Sequence, residues 1–581
     1  MVTHADASNG SSDEALERSA QALLVESLRH SPDLNPATNT ERVTVIETHI
    51  SYVLLAGDYA YKIKKAVNLQ FLDFSTLASR GYYCQEELRL NRPLAPSVYL
   101  EVVPITGTAA TPIIGGTGPV LEYALRMRRF SQDGLLSAML ARGVLTAALV
   151  DRLATVVAAF HRDTNRAGAD TPYGTLDNIL RPALDNFTQL LAMVEEAGDR
   201  AALESLRAWT GGTHTTSGCL FLNRRRHGFV RECHGDLHLG NIALVDGDVT
   251  LFDRLEFNES MRWTDVMNDV AFVVADLQER QRPDLAARFL TAYLEATGDY
   301  EGLGVLRFYL VYRAMVRAKV ARFRLRQLAS PEDREKLRTE YDAFIDLARR
   351  HSQRPEAAII ITHGLAGSGK TTCTECVVEH TAAVRMRTDV ERKRLHGLGV
   401  GASSGSLLGE GIYSTEATRQ TYTHVCALAR MVAAAGFVAV VDGAFLKRWQ
   451  RDLFRETAAT LGLPFVILAV SAPDAMLRQR IASRGRPGGD ASEATVEVLE
   501  AQRRSDEPLD RDEQPFVVHW DTAGGSQNPH KMPASPVLEA LHDRVSAWRP
   551  SVAGAPLSAA DQGDVRIQGS PVVNLRVGGA T

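Results

Sequence analysis

Residues 357–372 read AAIIITHGLAGSGKTT, and this stretch decides the architecture of the C-terminal part. Ala357–His363 is short, apolar and β-branched at Ile359, Ile360 and Ile361, which predicts a buried strand. Gly364, Gly367 and Gly369 then let successive backbone N–H groups turn inward around an anion. Lys370 and Thr371 complete the pattern G-x-x-x-x-G-K-[ST], in which the lysine reaches phosphate oxygens and the hydroxyl binds Mg²⁺. The following helix adds its positive N-terminal end.

Outward from this loop, strands and helices alternate. Val384–Met386, Phe437–Val441, Pro464–Val470 and Phe516–Trp520 read as further strands, so the region is a parallel α/β sheet with right-handed crossovers. Asp389 follows the second strand, where it either serves as a base toward an acceptor hydroxyl or caps a helix whose Arg392 and Lys393 form a solvated basic face. Asp442 ends the third strand, as a second Mg²⁺ partner or as a turn residue before Gly443. Arg480 and Arg484 lie one helical turn apart, as a phosphate-clamping lid or as a solvated face. GLAGSGKTT, TDVERKRL and VVDGAFL together resemble the P-loop kinase-like ATP-binding proteins (AAA family ATPase-like), relatives of gluconate kinases and polynucleotide kinases. The resemblance covers about residues 357–513. It implies that Gly364, Leu365, Ala366, Gly367, Ser368, Gly369, Lys370, Thr371 and Thr372 bind nucleotide, with Arg480 and Arg484 assisting.

A second constellation precedes this region. His234-Gly235-Asp236-Leu237-His238-Leu239-Gly240-Asn241 leads into an apolar strand, a turn at Asp246-Gly247-Asp248, a second strand and Asp253. One carboxylate (Asp236) can accept a hydroxyl proton, while an amide oxygen (Asn241) and another carboxylate (Asp253) can hold Mg²⁺ against a triphosphate. HGDLHLGN resembles the catalytic loop of the aminoglycoside phosphotransferase-like kinases. The likeness extends over about residues 47–323, including ETHISYVLLAGDYAYKIKK, EELRLNRPLAP and LFDRLEF, and implies a bilobal, protein-kinase-like α+β domain. It further implies a strand lysine on the phosphates, Lys62 or Lys64 with Lys64 preferred, and Glu87 as its ion-pair partner. No glycine-rich loop precedes the lysines, so Thr48–Ser51 has to cover the phosphates. Glu256 is an extra metal ligand or a surface acid. His234 and His238 read as loop braces rather than zinc ligands, His161 as a packed helix residue and Asp269 as a hydrogen-bond anchor. The basic run from Arg313 to Arg326 reads as a solvated face in preference to an anion- or nucleic-acid-binding patch.

The 581 residues suggest several domains. These are a disordered start and helix at 1–40, the kinase-like domain at 41–350, the P-loop domain at 356–525 and a mostly disordered tail at 526–581. Hydrophobic residues make up 45% and the net charge is −5, which gives no whole-chain footprint for nucleic acid or membrane. A nucleic-acid partner is therefore a minor alternative. The six scattered cysteines form no disulfide framework, Cys373-x-x-Cys376 lacks further metal ligands, and neither a signal peptide nor a long apolar span is visible. The expected protein is a cytoplasmic phosphotransferase using ATP and Mg²⁺ on a small-molecule hydroxyl. An ATPase switch with a ligand-sensing domain and a nucleic-acid end kinase are the alternatives.

Overall fold

At Gly57-Asp58 the chain folds back on itself, so that Ser51–Ala56 pairs antiparallel with Tyr59–Lys64 and Val53 faces Lys62. Gly57 takes φ +54°, a conformation that suits glycine in a tight hairpin. The computed structural model describes residues 9–31, 34, 43–69, 72–326, 330–353, 356–407, 409–483, 494–523 and 536–546. In it this hairpin is part of a six-stranded antiparallel sheet, ordered Thr44–Glu47, Ser51–Ala56, Tyr59–Lys64, Glu122–Arg128, Tyr99–Thr108, Thr111–Ile114. Helix Leu77–Asn91, capped by the Thr76 hydroxyl, packs on Glu122–Arg128 and Tyr99–Thr108. An N-terminal helix begins at Asn9, earlier than the apolar spacing from Glu14 suggests. Its Gln21 clamps the end of the lysine strand, donating to the Lys64 carbonyl at 2.8 Å and accepting from the Ala66 N–H at 2.9 Å.

The second lobe is helical. Apolar residues recur at helical spacing over Leu136–His161, yet the chain forms two helices there, Leu136–Ala141 and Ala147–Asp163, because Gly143 turns the chain at φ +70°. Helix Val266–Glu279 is buried nearly all round, with Asn268, Asp269 and Asp276 among its buried residues, and runs through the interior of the lobe. Ile242–Val245 and Asp248–Leu251 form a small hairpin beside it. Helices Leu303–Leu325 and Pro331–Ser352 pack against each other at the far side. The basic run is a solvated face only at its C-terminal end, where Arg324 and Arg326 are exposed. Arg313 is buried over the Phe272 ring, and Arg322 pairs with Glu196 and Asp199.

The C-terminal sheet has five parallel strands, ordered Val384–Arg387, Val438–Asp442, Ala358–His363, Phe465–Ser471, Val517–Asp521. Parallel pairing puts every strand's C-terminal end at one edge, where the glycine loop, Asp389 and Asp442 all emerge. Helix Pro536–Ser546 packs Leu538 and Leu541 against Val518 and Trp520; the rest of the expected tail, 526–535 and 547–581, and residues 1–8 lie outside the described residues. One apolar core runs from the helical lobe into this sheet, joining Leu303, Leu306 and Leu310 to Val425, Val432, Ile359 and Met386.

Candidate functional site

Lys62 and Lys64 alternate with Ile63 on one strand, so both ammonium groups leave the same face. Glu87 lies between them, accepting from Lys62 at 2.8 Å and from Lys64 at 2.7 Å. The two lysines then diverge. Lys62 reaches across the lobes to Asp253 at 2.6 Å, whereas Lys64 pairs with Glu256 and sits under the Phe74 ring. Side-chain exposure is 13% for Lys62 and 1% for Lys64. The geometry does not favour the preferred Lys64 as the phosphate-contacting lysine: its charge is sealed between two acids, whereas Lys62 is the more exposed of the two and faces Asp253. Glu256 is not a surface acid; it is buried and is the counter-ion of Lys64. Burial opposes the charge on Glu87, but Lys62 and Lys64 hold its carboxyl below the usual range. Burial also opposes the Lys62 ammonium, and Asp253, Glu87 and Glu256 outweigh it.

The loop His234–Asn241 is fixed from below by the buried helix Val266–Glu279. Asp269 accepts from the backbone N–H of His234 at 2.7 Å and of Gly235 at 3.0 Å, and Asp276 accepts from Leu239 at 2.9 Å. These two acids are seven residues apart, two turns on one face. Asp269 is in turn held by His161, itself 2.9 Å from the Tyr293 hydroxyl. His234 braces the Phe252 carbonyl at 2.9 Å, and His238 accepts from the Gly240 N–H at 3.0 Å. Asn241 donates its amide to the Asp236 carboxylate at 3.1 Å, which leaves its carboxamide oxygen as the group able to take a cation. Its carbonyl accepts from Phe252 at 3.1 Å, which brings Asp253 alongside. Asp253 adopts φ +60°, and its N–H donates to the Tyr99 hydroxyl at 3.0 Å. Desolvation works against the charge on Asp236. The neighbouring His238, Arg313 and His234 overcome it and hold the carboxyl well below the usual carboxylate range.

In the C-terminal sheet, Gly367 and Gly369 take φ +81° and +97°. A Cβ on Gly367 would lie 2.7 Å from the Leu477 carbonyl, so the loop tolerates no side chain there. Thr371 donates to Asp442 at 2.8 Å, which brings together a hydroxyl and a buried carboxylate, the two oxygen donors that would hold Mg²⁺. Asp442 is thus more than a turn residue. The Ser368 hydroxyl of the same loop is buried without a hydrogen-bond partner. Lys370 reaches the carbonyls of Gly364 and Leu365, both at 2.9 Å. Arg480 binds the Gly367 carbonyl at 3.2 Å, the Ser368 carbonyl at 3.3 Å and Thr522, so it braces the loop rather than lying on a solvated face. Arg484 lies outside the described residues. Asp389 stands in the first turn of helix Thr388–Leu395, whose cap is Arg387, so the capping alternative does not hold. Arg392 and Lys393 are buried, bonded to the carbonyls of Ile412 and Val400, and form no solvated basic face. Cys373 and Cys376 are buried free thiols.

Several members of these sites escape a reading from sequence. Asn91 holds Arg254 by both its N–H and its carbonyl; it is four residues after Glu87, a helical spacing that could have flagged it. Tyr99, Asp276 and Gln502, which accepts from the Ala366 N–H at 2.7 Å, leave no local signal.

Comparison with known proteins agrees with the two domains. Residues 137–309 match the phosphotransferase enzyme family, and residues 359–509 match an AAA domain family. Uncharacterized proteins of Mycobacterium bovis and Mycobacterium tuberculosis are each 30% identical over 469 residues, covering 81% of this chain and 91% of theirs. Among solved structures, the chain is similar to a choline/ethanolamine kinase family protein from Mesorhizobium loti (TM-score 0.36, 14% identity, 57% of this chain and 96% of that one). It is also similar to a gluconokinase from Sinorhizobium meliloti (TM-score 0.22, 19% identity, 34% and 93%). No helix among the described residues is long and apolar enough to cross a membrane. The chain belongs to the family of these mycobacterial proteins and joins, in one polypeptide, a phosphotransferase-family kinase domain to a P-loop kinase-like domain.

Proposed function

We propose that this kinase carries two nucleotide sites, and that the first transfers the γ-phosphoryl group of ATP to a hydroxyl of a small molecule. The observation that carries the reading is the meeting of Lys62, Glu87, Asp236, Asn241 and Asp253 in one cleft, drawn from both lobes. Asp236, held ionised, orients the acceptor hydroxyl and takes its proton as the oxygen attacks phosphorus. The bond from phosphorus to the bridging oxygen breaks and ADP leaves. Lys62, steadied by Glu87, offers its ammonium to the phosphates. Asn241 and Asp253 are the residues that would hold Mg²⁺, which when bound neutralises charge on the phosphate oxygens.

In the second site the loop Gly364–Thr372 cradles the triphosphate, with Thr371 and Asp442 as the Mg²⁺ pair and Lys370 on the phosphates. Asp389, at the same sheet edge, is the residue placed to meet an acceptor. On the basic helix Leu303–Leu325, Arg322 is tied to Glu196 and Asp199 and Arg313 to Asn268, which leaves few of its cations open to nucleic acid and makes that reading the weaker one. We place the reaction in the cytoplasm, in keeping with the free thiols.

The test is nucleotide titration of the full chain together with a screen of hydroxyl acceptors. Wild type is expected to bind two equivalents of ATP analogue. Lys370→Ala should weaken one of them by roughly 10- to 100-fold, the worth of one charge-assisted hydrogen bond of about 1.5–3 kcal/mol, with product formation at Asp236 retained. An unchanged second equivalent in Lys370→Ala would overturn the P-loop assignment. ATP hydrolysis with no phosphorylated product from any acceptor would favour a switch instead of a transferase.

A further inference from the structure

Helix Pro283–Thr297 belongs to the kinase-like domain but lies between the two sites. It packs on helices Ala147–Asp163 and Val266–Glu279 on its own side, and on Lys370–Thr381 and strand Val384–Arg387 across the junction. Arg288 joins Asp151 at 2.7 Å to Glu379 of the P-loop helix at 2.8 Å. Thr291 meets the Ala383 carbonyl and the Arg385 N–H, both at 3.5 Å. Glu295 accepts from Arg385 Nε at 3.0 Å.

Arg385 is buried, and its other contacts lead into the phosphate loop. Nη1 points to the Thr371 carbonyl at 3.5 Å and to Glu375 at 3.4 Å. Arg385 and Arg387 are two apart on the strand and so share a face. The register sets Arg387 opposite Asp442, with Nε 3.9 Å from that carboxylate. Two arginines therefore stand on the side of the strand from which Asp442 is approached. A guanidinium that settles on Asp442 removes it from use by a divalent cation, since one carboxylate cannot serve both at full strength. Burial makes such a pairing hard to screen.

We propose that Arg385 is a positioning residue of the P-loop site and that Glu295, from the kinase-like domain, sets it. Glu295 keeps the guanidinium turned to the Thr371 carbonyl and off Asp442, so that Asp442, already 3.9 Å from Arg387, is not claimed by a second guanidinium in competition with Mg²⁺. The P-loop site is thus completed by its neighbouring domain. This rests on the P-loop reading given above.

The experiment measures, in the full chain, the Mg²⁺ concentration that gives half-maximal tight binding of a fluorescent ADP analogue to the P-loop site. Glu295→Gln is expected to raise it about five-fold or more, the lower end of typical coupling between sites, with Mg²⁺-free nucleotide binding unchanged. Glu295→Asp should restore the wild-type value. In the Arg385→Gln background, Glu295→Gln should add nothing, because the guanidinium that Glu295 holds is already gone. A wild-type Mg²⁺ requirement in Glu295→Gln, or the same rise with and without Arg385, overturns the proposal. Failure of Lys370→Ala to weaken nucleotide binding would instead overturn the underlying site, so the two failures are separable. Thermal unfolding of each variant distinguishes a lost fold, which would depress nucleotide binding at saturating Mg²⁺ as well.

Discussion

Asn in place of Asp236 is expected to lower turnover at the kinase-like site by about 10²–10⁴, the usual contribution of a positioned general base, with nucleotide affinity changed only a few-fold. The side chain keeps its size, and the amide of Asn241 keeps an oxygen to bond. What goes is the proton acceptor. The pH dependence should differ from that of an ordinary carboxylate base. Because His238, Arg313 and His234 outweigh desolvation and hold the Asp236 carboxyl low, it is already ionised throughout the neutral range. Its ionisation contributes stability that is fully present above the unfolded carboxylate value of about 4 and is lost as pH falls through the lower folded value. Turnover measured from pH 6 to 8 should accordingly show no acid limb from Asp236. A limb in that range that vanishes in Asp236→Asn would contradict the geometry.

The two strand lysines should fail in opposite ways. Lys64→Met removes the cation that is paired with the Glu256 carboxylate among the described residues and leaves that buried acid without it, while Glu87 keeps Lys62. Breaking a buried pair in this manner costs about 3–5 kcal/mol, a large part of a domain's stability. Lys64→Met should thus be recovered in low yield or melt far below wild type. Lys62→Met should fold nearly normally, since Glu87 retains Lys64, and should lose turnover instead. Denaturant midpoints and kcat for the pair decide the matter. If Lys64→Met is as stable as wild type and Lys62→Met is not, the assignment of the two lysines is inverted.

The two lysines show where sequence reading reaches its limit. A period of two places Lys62 and Lys64 on one face, and the resemblance to the aminoglycoside phosphotransferase-like kinases implies Glu87, but nothing local tells which ammonium meets Asp253. The choice is made by Glu256, nearly two hundred positions away, which folds inward to seal Lys64. Motifs carried by contiguous backbone were legible. The glycine loop needs positive φ at fixed offsets, and the His234–Asn241 loop carries its own braces. The same holds for the five parallel strands, whose apolar β-branched runs announce them. The N-terminal helix was visible but not its grip on the lysine strand. The status of Arg392 and Lys393 was misjudged because charge alone argues for water, whereas carbonyls of the 400–412 segment supply the lost hydration. The helix break at Gly143 shows the same limit: apolar spacing continues through a residue whose backbone does not.

The apolar core that runs unbroken from Leu306 to Ile359 gives the two halves a common fate on heating. Domains joined by small polar interfaces melt separately and move freely. Here, unfolding either half would strip water-excluded surface from the other. Calorimetry should therefore record one transition, and a nucleotide that binds either loop should raise the melting temperature of both halves together. The fusion of two kinases in this chain behaves, in thermodynamic terms, as a single molecule with two mouths.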